Sequence, residues 1–315
     1  MTEHHEPATA LVGLDWGTSS LRAYRLAADG AVLESRARRW GIRQLPEGGF
    51  AAALEDVTAG WPPAPLLAAG MVGARGGWQE VAYVGLPADA DAVARQLCAV
   101  SDPAARGLKI VPGLRFADTP DVMRGEETQV FGALDAHPEL HADARLVLPG
   151  THSKWVGVRD GKVTDFATLM TGELFALLRQ HSILGAGTDS ADAVDAGTAS
   201  AAFDHGVTTA RDSGAAGMLS RLFSARSLTL DGSLAVAAVP DYLSGLLIGE
   251  EWRIARDGGW LRDDTSLCLI GEPTLCQRYT RAAERFDLPA PRLIEHASPR
   301  GLYGIARRAG LIDEG

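Results

Sequence analysis

The sequence predicts an α/β protein of two lobes, and three observations carry that expectation. Its 315 residues suit two cores of roughly 120 to 190 residues each better than one minimal domain. Three short apolar runs joined by tight turns open the chain and give way to a helix and a further strand. A similar arrangement returns after residue 145, again starting from a strand that runs into a Gly-Thr turn, as an internal structural duplication would.

The first strand covers Leu11 to Asp15, the turn Gly17-Thr18-Ser19-Ser20 follows, and the second strand covers Leu21 to Leu26. After Ala28-Asp29-Gly30 a third apolar run, Ala31 to Leu33, completes an antiparallel meander. Phe50, Leu54 and Val57 share a helical face, and Pro62-Pro63-Ala64-Pro65 ends that helix before a strand at Leu66 to Ala69, since proline removes an N–H donor and clashes with the preceding turn. Leu108 to Val111 reads as a strand, Pro112 to Pro120 as a loop at the change of lobe, and Glu126 onward as a helix with Val130, Phe131 and Leu134 on one face.

The second meander runs through Arg145 to Leu148, Trp155 to Val158 and Lys162 to Leu169, turned at Pro149 to Lys154 and at Asp160-Gly161. Ser190 to Phe223 is alanine-rich and mostly helical, with breaks expected at Gly197, Gly206, Gly214 and Gly217. Tyr242 to Arg256 is helical, Leu267 to Ile270 is a buried strand, and Leu275 to Phe286 and Gly301 to Leu311 are helices.

Composition narrows the function. The formal charge of −10 leaves no broad basic field for nucleic acid or an anionic membrane, so any phosphate must be held locally. Of 30 basic residues only Lys109, Lys154 and Lys162 are lysines, which makes a single arginine a weak signal. Cys98, Cys268 and Cys276 are odd in number and widely spaced, which fits buried thiols in a reducing compartment better than a disulfide framework or zinc site. The start of the chain, Met1 to Pro7, is polar with two glutamates, and no apolar stretch reaches 18 residues. A cytoplasmic location is expected.

Five constellations carry candidate chemistry. Asp15 closes the first strand and is followed by Gly17, Thr18, Ser19, Ser20 and Arg22. A carboxylate, close backbone approach at glycine, and hydroxyl and N–H donors suit Mg²⁺ and nucleotide phosphates, and equally a plain hairpin with satisfied turn groups. Gly150, Thr151, His152 and Lys154 repeat the pattern at the second turn, where a surface hairpin with a solvated lysine is the structural alternative.

Arg124 and Gly125 lead into a helix with Glu126 and Glu127 in its first turn, where acidic residues commonly serve the helix dipole and one carboxylate can also accept a proton from an attacking hydroxyl. Met71, Gly73, Arg75, Gly77 and Trp78 form a glycine-rich loop that can admit a sugar chain, with Arg75 for a carboxylate, or simply pack Trp78. Gly271-Glu272-Pro273 marks a strand-to-helix junction of the kind that seats adenosine. Neither a Walker loop nor a strand-linked G-x-G-x-x-G occurs.

In order along the chain, these segments resemble the actin, hexokinase and Hsp70 superfamily, in which two ribonuclease-H-like lobes clamp ATP in a central cleft. DWGTSSLRAY, AAGMVGARGGW, VMRGEETQVFGA, LPGTHSKWV, LMTGEL and YLSGLLIGEEW together resemble the 2-dehydro-3-deoxygalactonokinase family from Leu11 to about Ile305. The resemblance implies transfer of the ATP γ-phosphate to the terminal hydroxyl of 2-dehydro-3-deoxy-D-galactonate, with ATP and Mg²⁺ as cofactors and no nucleic-acid or membrane partner. A homodimer is compatible with it.

It also implies an N-terminal lobe, 1–118, with the first phosphate loop and sugar-acid loop, and a C-terminal lobe, 119–315, with the carboxylate, second phosphate loop and adenosine loop. Glu126 and Asp15 are then the catalytic candidates, Asp15 the metal ligand, and Gly17, Thr18, Ser19, Ser20, Arg22, Gly150, Thr151, Lys154 and Gly271 the nucleotide contacts. Met71, Gly73, Arg75, Gly77, Trp78, Arg124, Glu127 and His152 are the sugar-acid contacts. In the related glycerol and xylulose kinases a Gly-Asp at a helix start shortly before the second phosphate loop supplies the base; Gly125-Glu126 sits at the matching place and a second glutamate follows, which leaves Glu126 and Glu127 as rival bases. A kinase for another sugar acid such as 2-dehydro-3-deoxygluconate, a non-catalytic sensor and an ATPase are the competing functions.

Overall fold

The first apolar run folds as β1 (Leu11–Trp16), pairing antiparallel with β2 (Leu21–Leu26), which pairs in turn with β3 (Val32–Arg38). The computed structural model describes residues 8–116, 120–188, 192–261 and 265–312. Met1–Pro7 and Ser190 lie outside the described residues. β3 extends well past the expected Ala31 to Leu33 because it is an edge strand, exposed on both sides, whose register is written in charge instead of apolar periodicity. Arg36 pairs with Glu34 at 2.7 Å and Arg38 with Asp56 at 2.9 Å, the kind of charged edge that resists further strand addition.

After α1 (Gly49–Val57) the chain returns as β4 (Leu66–Gly70), buried throughout and parallel to β1, with Asp15 opposite Ala69 and Trp16 opposite Gly70. β5 (Val84–Gly85), α2 (Ala90–Ala94), β6 (Cys98–Ala99) and β7 (Lys109–Ile110) follow, and the first sheet has the order β3-β2-β1-β4-β7-β6. The expected loop from Pro112 to Pro120 instead contains a strand, β8 (Leu114–Phe116), pairing with β5 and with β9 (Asp121–Met123) in a small three-stranded sheet. Three residues are too few for periodicity to reveal, and residues 117–119 of that expected loop lie outside the described residues.

α3 (Glu126–Ala136) leads to the second meander, β10 (Asp143–Leu148), β11 (Ser153–Arg159) and β12 (Lys162–Leu169). Asp160 and Gly161 both take positive φ, 51° and 70°, as a two-residue hairpin turn requires. α4 (Thr171–His181), α5 (Ala196–Arg211), α6 (Ser224–Leu230) and α7 (Val239–Asp257) are followed by β13 (Ser266–Ile270), α8 (Pro273–Arg285), β14 (Arg292–Ile294) and α9 (Ala297–Arg308). The second sheet runs β12-β11-β10-β13-β14, the same succession of meander and later strand as the first. α9 begins four residues before the expected Gly301, taking Pro299 into its first turn, where its missing N–H costs nothing.

Chain contacts group the protein into two units: residues 1–144, 156–166 and 294–315, and residues 145–155 and 167–293. In the first, β1, β2, β4 and α1 bury Leu14, Trp16, Leu54 and Ala68 around one core. In the second, Trp155, Phe203, Trp252 and Tyr279 centre one cluster and Tyr242, Leu243 and Leu246 another. Gly206 does not break α5 as expected. It is a contact point, since a Cβ there would meet the Tyr242 carbonyl oxygen at 2.1 Å, and α5 can approach α7 this closely only without side chains. Cys268 and Cys276 are buried and Cys98 is partly so. Among the described residues no helix is long and apolar enough to cross a membrane.

Within the first unit α3 crosses α9 by the same device. A Cβ on Gly301 would stand 1.8 Å from the Thr128 carbonyl oxygen, and one on Gly132 2.0 Å from that of Ala297. Gly301→Ala therefore forces the helices apart and is expected to destabilise by about 1–3 kcal/mol or more, the cost of overpacking. Gly85→Ala, with no heavy atom within 4 Å of the added methyl, should stay within about 0.5 kcal/mol. Urea midpoints of the two variants, compared at equal slope, give the test.

Candidate active site

In the first unit three segments meet. Asp15 lies near the end of β1, and among the described residues its Oδ2 accepts a single long hydrogen bond, from Ser298 Oγ at 3.4 Å, at the start of α9. Burial raises the Asp15 pKa against the pull of the nearby Arg22 charge and Ser298 hydroxyl. The turn after it is closed by Gly17 N–H donating to Ser20 O at 2.9 Å. It is backed by Ile42 and Arg43, whose N–H groups donate to the carbonyls of Gly17 and Thr18. Thr18 and Ser20 are partly exposed and Ser19 fully so. Asp15 thus presents a desolvated carboxylate with unused acceptor capacity beside open hydroxyls and N–H groups. Among the described residues no cluster of three acidic, histidine or cysteine groups could hold a metal alone. One carboxylate of this kind fits Mg²⁺ held chiefly by phosphate oxygens and water.

The second segment follows β4. Gly70 has φ 99° and lies so close to Trp16 that a Cβ would meet its carbonyl oxygen at 2.7 Å. The loop then turns through Met71, Gly73 and Gly77, and a Cβ on Gly77 would stand 2.2 Å from the Val72 carbonyl oxygen. Trp78 is partly exposed and already packed. It stacks on Phe50 at 5.5 Å, meets Trp16 edge-on at 6.1 Å, and its Nε1 donates to Asp102 at 3.1 Å. Arg75 is exposed and makes no ion pair among the described residues.

The third segment is the start of α3. Gly125, at φ 110°, packs on Gly70, to whose Cα an added Cβ would come within 3.1 Å. The two glutamates then reach back over the helix start, Glu126 Oε2 accepting from Arg124 N–H at 3.0 Å and Glu127 Oε2 from Gly125 N–H at 2.6 Å. Glu126 is partly exposed, whereas Glu127 is 0% exposed. Arg124 is buried behind the loop: its Nη2 donates to Val81 O at 2.6 Å, its guanidinium lies 4.2 Å over the Tyr83 ring, and its Nη1 abuts Gly73.

Glu127 and Glu126 separate electrically as well. Burial, and secondarily the charge of Glu126, push the Glu127 pKa from 4.5 to about 8, so Glu127 carries its proton at neutral pH. In the unfolded chain that proton is lost near pH 4.5. Between about 4.5 and 8 the native state therefore holds more protons, and this site costs stability as pH rises, about 1.4 kcal/mol per unit. Glu127→Gln keeps an acceptor for Gly125 and a neutral side chain, so its melting temperature should fall less than that of the wild type between pH 5 and 8. Parallel slopes would show that Glu127 is ionised in the folded protein.

In the second unit the hairpin Gly150–Ser153 borders a pocket of about 500 Å³, shared with Gly172, Asp241, Ser244, Arg278 and Tyr279. Thr151 and His152 are exposed, and His152 Nε2 lies 2.5 Å from Glu173 Oε2. Lys154 lies within β11, only 5% exposed, with Nζ donating to Thr168 Oγ1 at 2.7 Å. Gly172, in the LMTGEL segment, touches the hairpin backbone: its Cβ would meet Gly150 O at 2.6 Å and Thr151 Cα at 2.8 Å. Gly271 lies against Pro149, and Glu272 caps α8 by accepting from Thr274 and Leu275 N–H at 3.0 and 2.9 Å. The sequence thus brings Gly150, Thr151 and Gly271 to one place.

Ser298, Gly172, Glu251 and Tyr279 were not among the expected site residues. Glu251 alone had a local signal, as a carboxylate following Leu243 and Leu247 at helical spacing on a buried face.

The family model for 2-keto-3-deoxy-galactonokinase matches residues 15–305. A Rhizobium meliloti (strain 1021) protein, named a probable 2-dehydro-3-deoxygalactonokinase, is 42% identical over 301 residues, 93% of this chain and 95% of its own. The Escherichia coli (strain K12) 2-dehydro-3-deoxygalactonokinase is 37% identical over 279 residues, 86% and 88% of the two chains. A crystal structure from Sinorhizobium meliloti, provisionally described as a 2-dehydro-3-deoxygalactonokinase, superposes with TM-score 0.84 at 36% identity over 94% of this chain and 98% of that one. Component A of the Acidaminococcus fermentans (R)-2-hydroxyglutaryl-CoA dehydratase, at 12% identity and TM-score 0.50 over 95% of this chain, shares the fold alone. The expected actin-like α/β architecture is the one found. Since the match spans residues 15–305, from the end of β1 past the α3 glutamates, the second hairpin and α8, the chain belongs to the 2-keto-3-deoxy-galactonokinase family.

Proposed function

We propose that the chain transfers the γ-phosphate of ATP to the terminal (6-) hydroxyl of 2-dehydro-3-deoxy-D-galactonate, giving the 6-phosphate and ADP. The observation that carries the mechanism is the unequal burial of adjacent glutamates: Glu127 is fully buried, with its pKa pushed up, while Glu126 is partly exposed, one residue beyond the Gly125 that packs on Gly70. Glu126 orients the acceptor hydroxyl and takes its proton during in-line transfer. Thr18, Ser19, Ser20 and the neighbouring N–H groups hold phosphate oxygens from the first hairpin, and Gly150 and Thr151 do so from the second. The pocket beside Gly271 takes the nucleoside, and exposed Arg75 is the partner for the substrate carboxylate.

Asp15 would hold Mg²⁺, which when bound neutralises charge on the β- and γ-phosphates. A cytoplasmic setting, where thiols stay reduced, and a possible homodimer complete the proposal. Excluding water at the reacting phosphate is what separates a kinase from an ATPase.

The test is ADP release measured across a panel of 2-keto-3-deoxy acids. Turnover should be fastest with 2-dehydro-3-deoxy-D-galactonate, slower with 2-dehydro-3-deoxygluconate, and close to background without an acceptor. ATP hydrolysis at full rate in the absence of any sugar acid would overturn the kinase reading, and a preference for the gluconate epimer would overturn the substrate.

A further inference from the structure

We propose that Glu251, in the middle of α7, is a positioning residue for nucleotide binding: through Tyr279 and Ser153 it fixes the backbone of the hairpin that borders the second-unit pocket. The inference rests on the reading that this pocket takes the nucleotide. Glu251 is 1% exposed, on the buried face of α7, where a carboxylate is costly unless its oxygens are saturated with donors. They are. Oε2 accepts from Trp155 Nε1 at 2.9 Å and Oε1 from Tyr279 OH at 2.6 Å, and the Ser153 and Thr171 hydroxyls also hydrogen-bond the carboxylate, donors that oppose the upward push of burial on its pKa. Ser153 Oγ lies 2.9 Å from Tyr279 OH and accepts from Gly150 N–H at 3.4 Å.

The direction of these bonds makes the carboxylate matter. Indole N–H can only donate, so Oε2 must accept. With Oε1 also accepting, the Tyr279 proton points at Glu251, and Ser153 keeps a lone pair for Gly150 N–H. Glu251 thus orients a relay of hydroxyls that ends on the hairpin backbone. Tyr279 and Thr171 also line the pocket, and Glu173 N–H donates to Thr151 O at 3.0 Å. In Glu251→Gln, Trp155 compels the amide oxygen to its own side, and the NH₂ must face Tyr279. The tyrosine proton then turns toward Ser153 and competes with Gly150 N–H. The fold keeps its packing while the hairpin loses its anchor.

The experiment measures binding of a non-hydrolysable ATP analogue by calorimetry, together with kcat and both KM values, for wild type, Glu251→Gln, Tyr279→Phe and the double variant. Both single variants should weaken the analogue by about 5- to 30-fold, the range of one or two buried hydrogen bonds. The sugar-acid KM and the kcat at saturating ATP should hold, and the double variant should be little worse than either single one. Glu250→Gln, which removes only a pairing with Arg253 and the Met218 N–H, should match the wild type. Tyr279→Phe keeps the test open if Glu251→Gln fails to fold. Folded variants that bind the analogue like the wild type would overturn this inference alone, as would parallel losses in both KM values and kcat. A wild type that does not bind the analogue would overturn the nucleotide reading and this inference with it.

Discussion

Glu126→Gln is expected to lower kcat by about two to four orders of magnitude, the usual worth of a positioned base, with the affinity for an ATP analogue nearly intact. The amide can still accept the hydrogen bond from Arg124 N–H, so the helix start and the loop at Gly70 keep their shape. What it cannot do is receive the proton of the acceptor hydroxyl. Glu127→Gln is the informative companion, because its glutamate is already neutral at pH 7 and its amide should support near wild-type turnover. If the two variants exchanged these phenotypes, the assignment of the base would move one residue along α3. If neither lost activity, no carboxylate here would belong to the chemistry.

Asp15→Asn should lose about two to three orders of magnitude in turnover, consistent with the several kcal/mol that a metal-held phosphate charge is worth. Activity should recover in part at high Mg²⁺ concentration. Stability should move the other way. The Asp15 carboxyl is desolvated, and burial already raises its pKa, so the neutral isostere removes an unfavourable charge and the melting temperature should stay level or rise. A group that costs the fold and serves the reaction gives opposite signs in the two measurements. Joint loss of stability and activity would mark Asp15 as a structural turn residue.

The meanders, the α3 start and the two Gly-Thr hairpins were legible because their signals are local: apolar runs, turn residues and a helix face fall within a dozen positions. β3 was cut short because its contacts are ionic, and β8 was hidden because three residues carry no period. The site divided along the same line. Asp15, Thr18, Glu126 and Thr151 announced themselves at turns. Arg124 gave no sign that it would bury itself under Tyr83 and Val81, nor Trp78 that it would stack on Phe50, since partners at such separations are chosen by packing. Ser298 is 283 residues from Asp15, beyond any motif. The unequal fates of Glu126 and Glu127 come from which way one turn of helix faces, and two identical letters cannot convey that.

The late helix α9 imposes an order on biosynthesis. Ser298 and the Gly301 surface that backs Thr128 and the α3 glutamates belong to residues 297–308. A nascent polypeptide lacking that helix already has the strand pairing that holds Asp15, but neither the Ser298 hydroxyl beside it nor the surface on which α3 packs. If Asp15 and Glu126 act as proposed, phosphoryl transfer should appear only once residues 297–308 have docked, and a chain truncated before Ala297 should show none.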